Sequence, residues 1–404
     1  LKKAQLIKVE DALEIILDST EDFGVEHVNL EDSLGRVLKE PIRADRDLPP
    51  FNRVSMDGIA IRHSAFEDGN RKFRIEGIQA AGSPQLELNS SKGCLEVMTG
   101  AVLPNNTDVV VPYEMVSIDN GFATVEKEEL AFMQNVHLKG LDRKENELLV
   151  EENRLISSAE IGVLATVGIP QVKVAKLPRT AIISTGDELV DVDETPLPHQ
   201  IRMSNVHSLK ALIEPFGIHP DLFHLTDDPV ELKEKISELL SNYDVLMFSG
   251  AVSKGKFDYL PQILKDLKVK KLFHRVRQRP GKPFWFGKRD HVTVFAYPGN
   301  PVSTYVSCTY YFIPWLRKSL GLPPAEKKFA VLDSDFEFKP VLTYFLQVKL
   351  VNRMGSVYAI PEAGNGSGDL ANLTLNDAFL KLDAERDEFK KGEILPYFAF
   401  RQLK

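Results

Sequence analysis

Three segments place a glycine directly after an apolar run: Thr185-Gly186-Asp187-Glu188-Leu189, Ser249-Gly250-Ala251-Val252-Ser253-Lys254-Gly255 and Pro298-Gly299-Asn300-Pro301-Val302-Ser303. A residue without Cβ at such a point lets backbone N–H groups and helix N-termini approach an anion closely. Taken singly, a Ser-Gly or Thr-Gly pair is an ordinary tight turn, and Asn300-Pro301 is an N-cap followed by proline at the first helical position. Their joint occurrence points to one pocket. Basic residues reinforce it: Arg279-Pro-Gly-Lys282-Pro brings two cations, and Lys254 and Lys256 flank the second glycine segment. Between Lys254 and Arg289 stand twelve Lys and Arg against two acids, Asp258 and Asp266, in a chain of net charge −8. Converging cations and backbone donors suit a phosphate or another tetrahedral oxyanion, without choosing among them.

Loop carboxylates are the second ingredient: Asp57, Glu188, Asp227, Asp228 and Asp258. Acids beside an anion repel it unless a divalent cation lies between, and Mg²⁺ is the usual bridge to phosphate oxygens, so a magnesium ion is expected. Other chemistries find little support. The nine histidines show no H-x-x-x-H spacing and no serine sits in G-x-S-x-G. Cys94 and Cys308 are too few for a disulfide framework or a thiolate metal site and read as small core residues. Phe284, Trp285 and Phe286 follow strand spacing and read as core.

The glycine loops need a frame to hold them. From Arg179 the text alternates: strand Thr180 to Ser184, helix Asn205 to Phe216, strand Leu222 to Leu225, helix Pro229 to Leu240, strand Asp244 to Phe248, helix Tyr259 to Leu267, strands Phe273 to Arg277 and Val292 to Tyr297, then one long helix from Pro301 to about Leu320. That alternation predicts a three-layer α/β domain with a largely parallel sheet, whose ligands collect outside the carboxyl ends of the strands. Upstream, Val9 to Leu17 has helical spacing, Val28 to Val37 is a second short periodic segment, and Gly140 to Val167 resumes helical character with Ser157 or Ser158 as N-cap. Gly58 to Leu138 and Phe329 to Leu395 read as short strands between turn signals. The expected plan is multidomain α/β plus β. A helical arm spans 1–46 and 140–174, an inserted β-rich domain 47–139, an α/β domain 175–325 and a C-terminal β domain 326–404.

Composition bounds the rest. With 43% hydrophobic and 27% charged residues, the 404-residue chain is an ordinary multidomain globule. Its mild acidity gives no general pull toward nucleic acid or anionic membrane. Leu1 to Glu10 lacks an apolar core followed by a cleavage site, which predicts no signal peptide, and the apolar run Phe295 to Leu316 is broken by Pro298, Pro301 and Pro314, wrong for a bilayer span. Few cysteines fit a reducing cytoplasm, so a cytoplasmic location is expected.

The motifs then resemble a known family over essentially the whole chain. They are Pro50-Phe-Asn-Arg-Val-Ser-Met-Asp-Gly58, Met98-Thr-Gly-Ala101 with Pro104, Ser184-Thr-Gly-Asp-Glu-Leu189, Ile201-Arg-Met-Ser-Asn205, Ser249-Gly-Ala-Val-Ser253 with Asp258-Tyr259, Pro280-Gly-Lys-Pro283 and Pro298-Gly-Asn-Pro-Val-Ser303. In this order they are similar to the molybdopterin molybdenumtransferases, the MoeA type that also forms the E domain of gephyrin. The resemblance implies molybdenum cofactor biosynthesis, in which molybdate is inserted into adenylyl-molybdopterin with release of AMP, dependent on Mg²⁺.

It further implies a molybdopterin-binding α/β domain and a homodimer with a shared active site, with docking to the upstream adenylyltransferase as a further partner. Carried over, the catalytic set is Asp57, Thr99, Glu188, Asp227, Asp258 and Lys282, with Glu188, Asp227 and Asp258 around the metal. Thr185, Gly186, Asp187, Ser249, Gly250, Ser253, Arg279, Pro298, Gly299, Asn300 and Ser303 form the cofactor-binding set, and Arg275, Arg279 and Ser367 bind the molybdate anion.

The sequence departs from the family pattern at Ala251 in place of a second glycine, at Arg275 and Arg279 where lysine is common, at Gln347 where an arginine is expected, and at Ile59 where a tyrosine usually follows Met-Asp-Gly. Two rivals stand beside this reading: a molybdopterin adenylyltransferase, whose α/β domain is similar, and a non-catalytic molybdopterin-binding scaffold.

Overall fold

Runs of Val, Ile and Phe too short for helices and bounded by turn residues build the central sheet of the molecule's larger unit. The computed structural model describes residues 6–250, 252 and 259–401. The chain divides into two units, one of Leu1–Lys39, Asn153–Ser157 and Gln171–Lys404, the other of Glu40–Glu152 and Ser158–Pro170.

In the first unit the α/β region runs β1 (Thr180–Thr185), α1 (Asn205–Ile213), β2 (Asp221–Leu225), α2 (Pro229–Asn242), β3 (Val245–Ser249), α3 (Leu260–Asp266), β4 (Lys270–His274), β5 (Trp285–Arg289), β6 (Val292–Tyr297), α4 (Pro301–Ser307) and α5 (Ile313–Ser319). The six-stranded sheet has the order β2-β1-β3-β6-β5-β4. Its first four strands are parallel and the last two antiparallel. Side chains alternate across it as the pleat requires. Ile182, Met247, Phe295 and Tyr297 face a layer containing Leu209 and Ile213 of α1, Val302 and Val306 of α4, and Val9, Ala12 and Ile16 of the helix Val9–Asp18. Ala181, Ile183, Phe248 and Ala296 face α2 and α3 through Leu232, Ile236, Leu260 and Leu264. These are the three layers the alternation predicts.

The expected long helix from Pro301 is interrupted: a π turn, Cys308–Phe312, joins α4 to α5. Pro314 supplies the reason, since it has no N–H and its ring crowds the carbonyl four residues earlier, where the wider turn makes room. Two other segments depart from helical expectation. Val28 to Val37 takes in only the end of the strand Val25–Asn29 and a single 3-10 turn, Leu30–Asp32, and Gly35 at φ +76 cannot continue a helix. Within Gly140 to Val167 only Ser158–Thr166 is helical, and Asn146 and Asn153 adopt left-handed backbone at φ 67 and 61.

Also in the first unit, the strands Thr343–Arg353, Ser356–Pro361, Lys328–Leu332, Ile394–Ala399 and Ala378–Leu382 pair in that order and close on themselves, around Leu332, Leu346, Val348 and Leu380. The two-residue strand Gln278–Arg279 joins this sheet beside Thr343 and Tyr344. The second unit is built on another six-stranded sheet, with Gly58–Ile61 between Val109–Pro112 and Gly93–Val97. Ile59 and Ile61 enter one core with Phe66 and Phe73, while Ala60 enters a second with Val54, Val97 and Val110. Cys94 and Cys308 are buried, as are Phe284, Trp285 and Phe286. Among the described residues no helix is long and apolar enough to cross a membrane.

Phe295 packs against Phe286, Phe312 and Trp315 at ring-centroid separations of 4.9, 5.3 and 5.4 Å. Phe295→Ala is expected to destabilise the protein by about 3–5 kcal/mol, because the cavity has rigid rings on several sides. A urea titration followed by tryptophan fluorescence measures it; a loss under about 1 kcal/mol would contradict this packing.

Candidate functional site

The register of the parallel strands decides where the loops go. Ser184 lies opposite Ser249, and Ser249 opposite Tyr297, so β1, β3 and β6 end level with one another. Their following loops open on one cavity of about 920 Å³, lined by Thr185, Gly186, Glu188, Asp227, Ser249, Gly250, Arg279, Lys282, Pro298, Gly299, Asn300, Ser303 and Ser367, with Arg202, Met203 and Asn205 of the segment entering α1. All of these belong to the first unit. The three glycine segments thus share a pocket.

Two of these glycines, Gly186 and Gly250, act by close approach rather than as hydrogen-bond donors. Gly186 N–H donates to Leu225 O and Gly250 N–H to Tyr297 O, so neither is available to a ligand. Gly250 takes φ +110, and a Cβ on it would lie 2.8 Å from Thr185 Oγ1 and 3.0 Å from Thr185 O. The Thr185 hydroxyl beneath this seat is buried with no hydrogen-bond partner among the described residues, while its residue lines the pocket. A buried hydroxyl in that state favours any ligand that supplies an acceptor or donor.

Side-chain amides stitch the loops together. Asn205 Nδ2 donates to Ser249 Oγ at 2.8 Å and to Gly299 O at 2.7 Å, joining the second and third glycine segments. Asn300 occupies the N-cap position of α4 with Pro301 behind it, but its side chain caps nothing. Instead Asn300 Nδ2 donates to Ser367 Oγ at 2.7 Å, and Val302 N–H donates to Ser367 O at 3.1 Å. The loop Gly364 to Gly368 is thereby docked on the first turn of α4. Asn205 was legible only as part of the Ile201 to Asn205 motif, and no signal marked its amide as a clamp.

Among the charged residues the structure separates neighbours. Asp228 accepts from the N–H groups of Val230 and Glu231 and so caps α2, whereas Asp227 lines the pocket. Asp187 does not line it; its Oδ1 accepts from Asp227 N–H at 3.1 Å and holds that turn. The Glu188 carboxylate folds back over Gly186, where a Cβ would collide with it. Arg279 and Lys282 both line the pocket, Lys282 half-buried.

Arg275 is not among the lining residues; its backbone, at φ 79, is bonded to Phe284 and Ile7. Gln347, the departure on the C-terminal sheet, is buried with Oε1 accepting from Asn372 and does not face the pocket. Ala251, Ser253, Lys254, Lys256 and Asp258 lie outside the described residues. Among the described residues no group of three His, Cys, Asp or Glu is gathered closely enough to hold a metal ion.

Asp57 and Thr99 belong to the second unit and are brought together there. Thr99 donates to Asp57 Oδ1 twice, from its hydroxyl at 2.7 Å and its N–H at 2.6 Å. The Thr99 hydroxyl, then its N–H, holds the Asp57 carboxyl below the usual range. Gly58, next in sequence, is pressed against Val111 O and Pro112 in the neighbouring strand, leaving no room for Cβ. Met-Asp-Gly is thus a carboxylate followed by a strand start that only glycine fits.

An ¹³C titration of Asp57 is expected to show a pKa below that of an ordinary aspartate, so it stays ionised as pH falls further than usual. Thr99→Val, which removes the hydroxyl and keeps the N–H, should move it upward. An unchanged midpoint would show that the hydroxyl contributes nothing.

Comparisons with known proteins agree with one another. The chain matches the MoeA N-terminal region (domain I and II) over residues 7–168, the probable molybdopterin binding domain over 181–318 and the MoeA C-terminal region (domain IV) over 330–400. It is 39% identical over 400 residues to a molybdopterin molybdenumtransferase of Synechocystis, covering 98% of this chain and 100% of that one. Identity is 31% to the enzyme of the same name from Staphylococcus epidermidis, covering 98% and 96%. Two crystal structures of the molybdopterin biosynthesis MoeA protein from Pyrococcus horikoshii superpose with TM-scores of 0.84 and 0.83 at 29% and 26% identity. They cover 99% and 98% of this chain and all of each.

Proposed function

This chain belongs to the molybdopterin molybdenumtransferase family, an enzyme family of molybdenum cofactor biosynthesis, and on that premise we propose how its pocket performs the insertion. The reaction is the transfer of molybdate onto adenylyl-molybdopterin with cleavage of the phosphoanhydride and release of AMP. The observation that carries it is one cavity presenting two cations, Arg279 and Lys282, two carboxylates, Glu188 and Asp227, and the unpartnered Thr185 hydroxyl.

Each group has a task that follows from its chemistry. Arg279 and Lys282 neutralise a tetrahedral oxyanion at the rim, Arg as a planar fork and Lys as a point charge. Thr185, Ser249 and Ser303 offer hydroxyls to phosphate oxygens, and the segment Pro298 to Asn300 leads the positive end of α4 to the same group. Asn205 and the Asn300–Ser367 bond hold these loops in place, so the protein contributes positioning and charge neutralisation rather than a covalent nucleophile.

Two carboxylates without nitrogen or sulfur donors fit Mg²⁺, which commonly takes one or two protein carboxylates and completes its shell with substrate phosphates and water. Glu188 and Asp227 would hold it, with Asp258 as the third acid. When bound it offsets charge on the bridging phosphate oxygens.

The active unit is a homodimer in which Asp57 and Thr99 of one protomer complete the pocket of its partner. Support comes from Asp57 itself, whose Oδ1 takes both bonds from Thr99, leaving Oδ2 without a hydrogen bond among the described residues. Substrate arrives from the upstream adenylyltransferase, and the setting is cytoplasmic.

Purified protein supplied with adenylyl-molybdopterin, molybdate and Mg²⁺ should release AMP and reconstitute an apo-molybdoenzyme, without consuming ATP. Glu188→Gln should lower AMP release by about 10²–10³, and Asp258→Ala likewise. Full magnesium-dependent release by both variants would sink the metal assignment.

For the dimer, the test mixes Asp57→Ala protomers with Glu188→Gln protomers, each nearly inactive by itself. Random exchange makes half the dimers mixed, each with one intact site of two, so about one quarter of wild-type activity should return. No recovery after demonstrated exchange would place each site within one protomer.

A further inference from the structure

Arg279 and Lys282 stand on a short loop whose position is set from beneath by a buried polar pair. Gln278 is fully buried. Its Nε2 donates to Pro280 O at 3.0 Å, and its Oε1 accepts from the hydroxyl of Tyr311, itself fully buried. Burial holds the Tyr311 phenol well above its usual range, so it remains a donor. Gly281 completes the fit: at φ +89, a Cβ there would lie 2.6 Å from Gln278 Nε2 and 2.9 Å from Ser307 Oγ. The loop backbone therefore rests directly on the amide. Tyr311 belongs to the π turn that interrupts the helix after β6, so the irregular helix supplies the hydroxyl under the loop.

The loop's other restraints fix its ends, not its tip. Val276 N–H donates to Lys282 O at 2.9 Å, and Gln278–Arg279 pairs with Thr343–Tyr344. Between them, Pro280 O receives the Gln278 amide. A part-buried carbonyl that lost this donor would shift to find another partner and carry the loop with it.

We propose that Gln278 and Tyr311 are positioning residues that hold Arg279 and Lys282 in register for the oxyanion, coupling the π turn to anion affinity. This rests on the reading above in which those two cations hold molybdate. Gln278 borders the cavity beneath the loop and Tyr311 lies outside its lining. Both act through the loop that carries the cations, so their effect falls on the molybdate dependence rather than on turnover at saturation.

The experiment measures AMP release against molybdate concentration for Gln278→Met, Tyr311→Phe and the double variant, each with and without Lys282→Ala. In the wild-type background each is expected to raise half-saturating molybdate by about tenfold, with saturated turnover within about twofold. The double variant removes both polar partners together, so it should recover much of the thermal stability lost by the single variants yet keep the raised half-saturation. With Lys282→Ala present, the shift should fall well below tenfold, because one of the two residues being positioned is gone.

A shift that tracks melting temperature, one of equal size with and without Lys282, or none at all would overturn the proposal. If Lys282→Ala alone leaves half-saturating molybdate unchanged, the reading of the pocket fails and the proposal falls with it.

Discussion

Three parallel strands that end level with one another are the constraint on which the pocket depends. Ser184, Ser249 and Tyr297 lie side by side in the ladder, and the chain leaves the sheet at the same height after each. A slip of one residue would turn Ile182, Met247 and Phe295 from one apolar layer into the other and would offset the loops by about 3 Å. Register is enforced because both faces of the sheet are covered, by α1 and α4 on one side and α2 and α3 on the other. The packing that stabilises the domain and the geometry that makes the site are therefore the same contacts seen from two ends.

On that platform the loops are shaped by polar stitches rather than by their glycines alone. Gly250 permits the approach of one loop to Thr185, but its own N–H is already bonded within the sheet. Asn205, Asn300 and Gln278 each place an amide where two segments meet, at Ser249 and Gly299, at Ser367, and at Pro280 and Tyr311. An amide suits this work because it donates and accepts without carrying a charge that would compete with the ligand. The cationic rim can then be committed to the oxyanion, while Asp187 and Asp228 serve local structure beside the acid that faces the pocket.

Charge in the site is balanced by kind as well as by number. Arg279, Lys282, Glu188 and Asp227 line one cavity. Either pair alone would bind a single sign of ligand, whereas both together suit an anion that carries a cation with it. The second unit repeats the economy on a smaller scale: Thr99 engages one oxygen of Asp57, and Gly58 lets the next strand close behind it.

Much of this was readable from residue order. Strand and helix alternation from Thr180 onward follows from local hydrophobic period, and the three glycine segments are visible as loops at strand ends, because both signals are short-range. Period alone misled where a single residue decides the backbone, as at Gly35, Asn146 and Asn153, and at Pro314, whose missing N–H turns one predicted helix into two around a π turn. Among site residues, the sequence singled out Lys282, Glu188 and Ser249 by type and motif. Which of Asp227 and Asp228 lines the cavity, and that Gln278 and Tyr311 meet beneath the cationic loop, both depend on segments distant in the chain. Residue types and their spacing set the inventory of charges, glycines and strands; long-range packing assigned each charge its direction, because a side chain's partners are fixed by what folds against it and not by its neighbours in sequence.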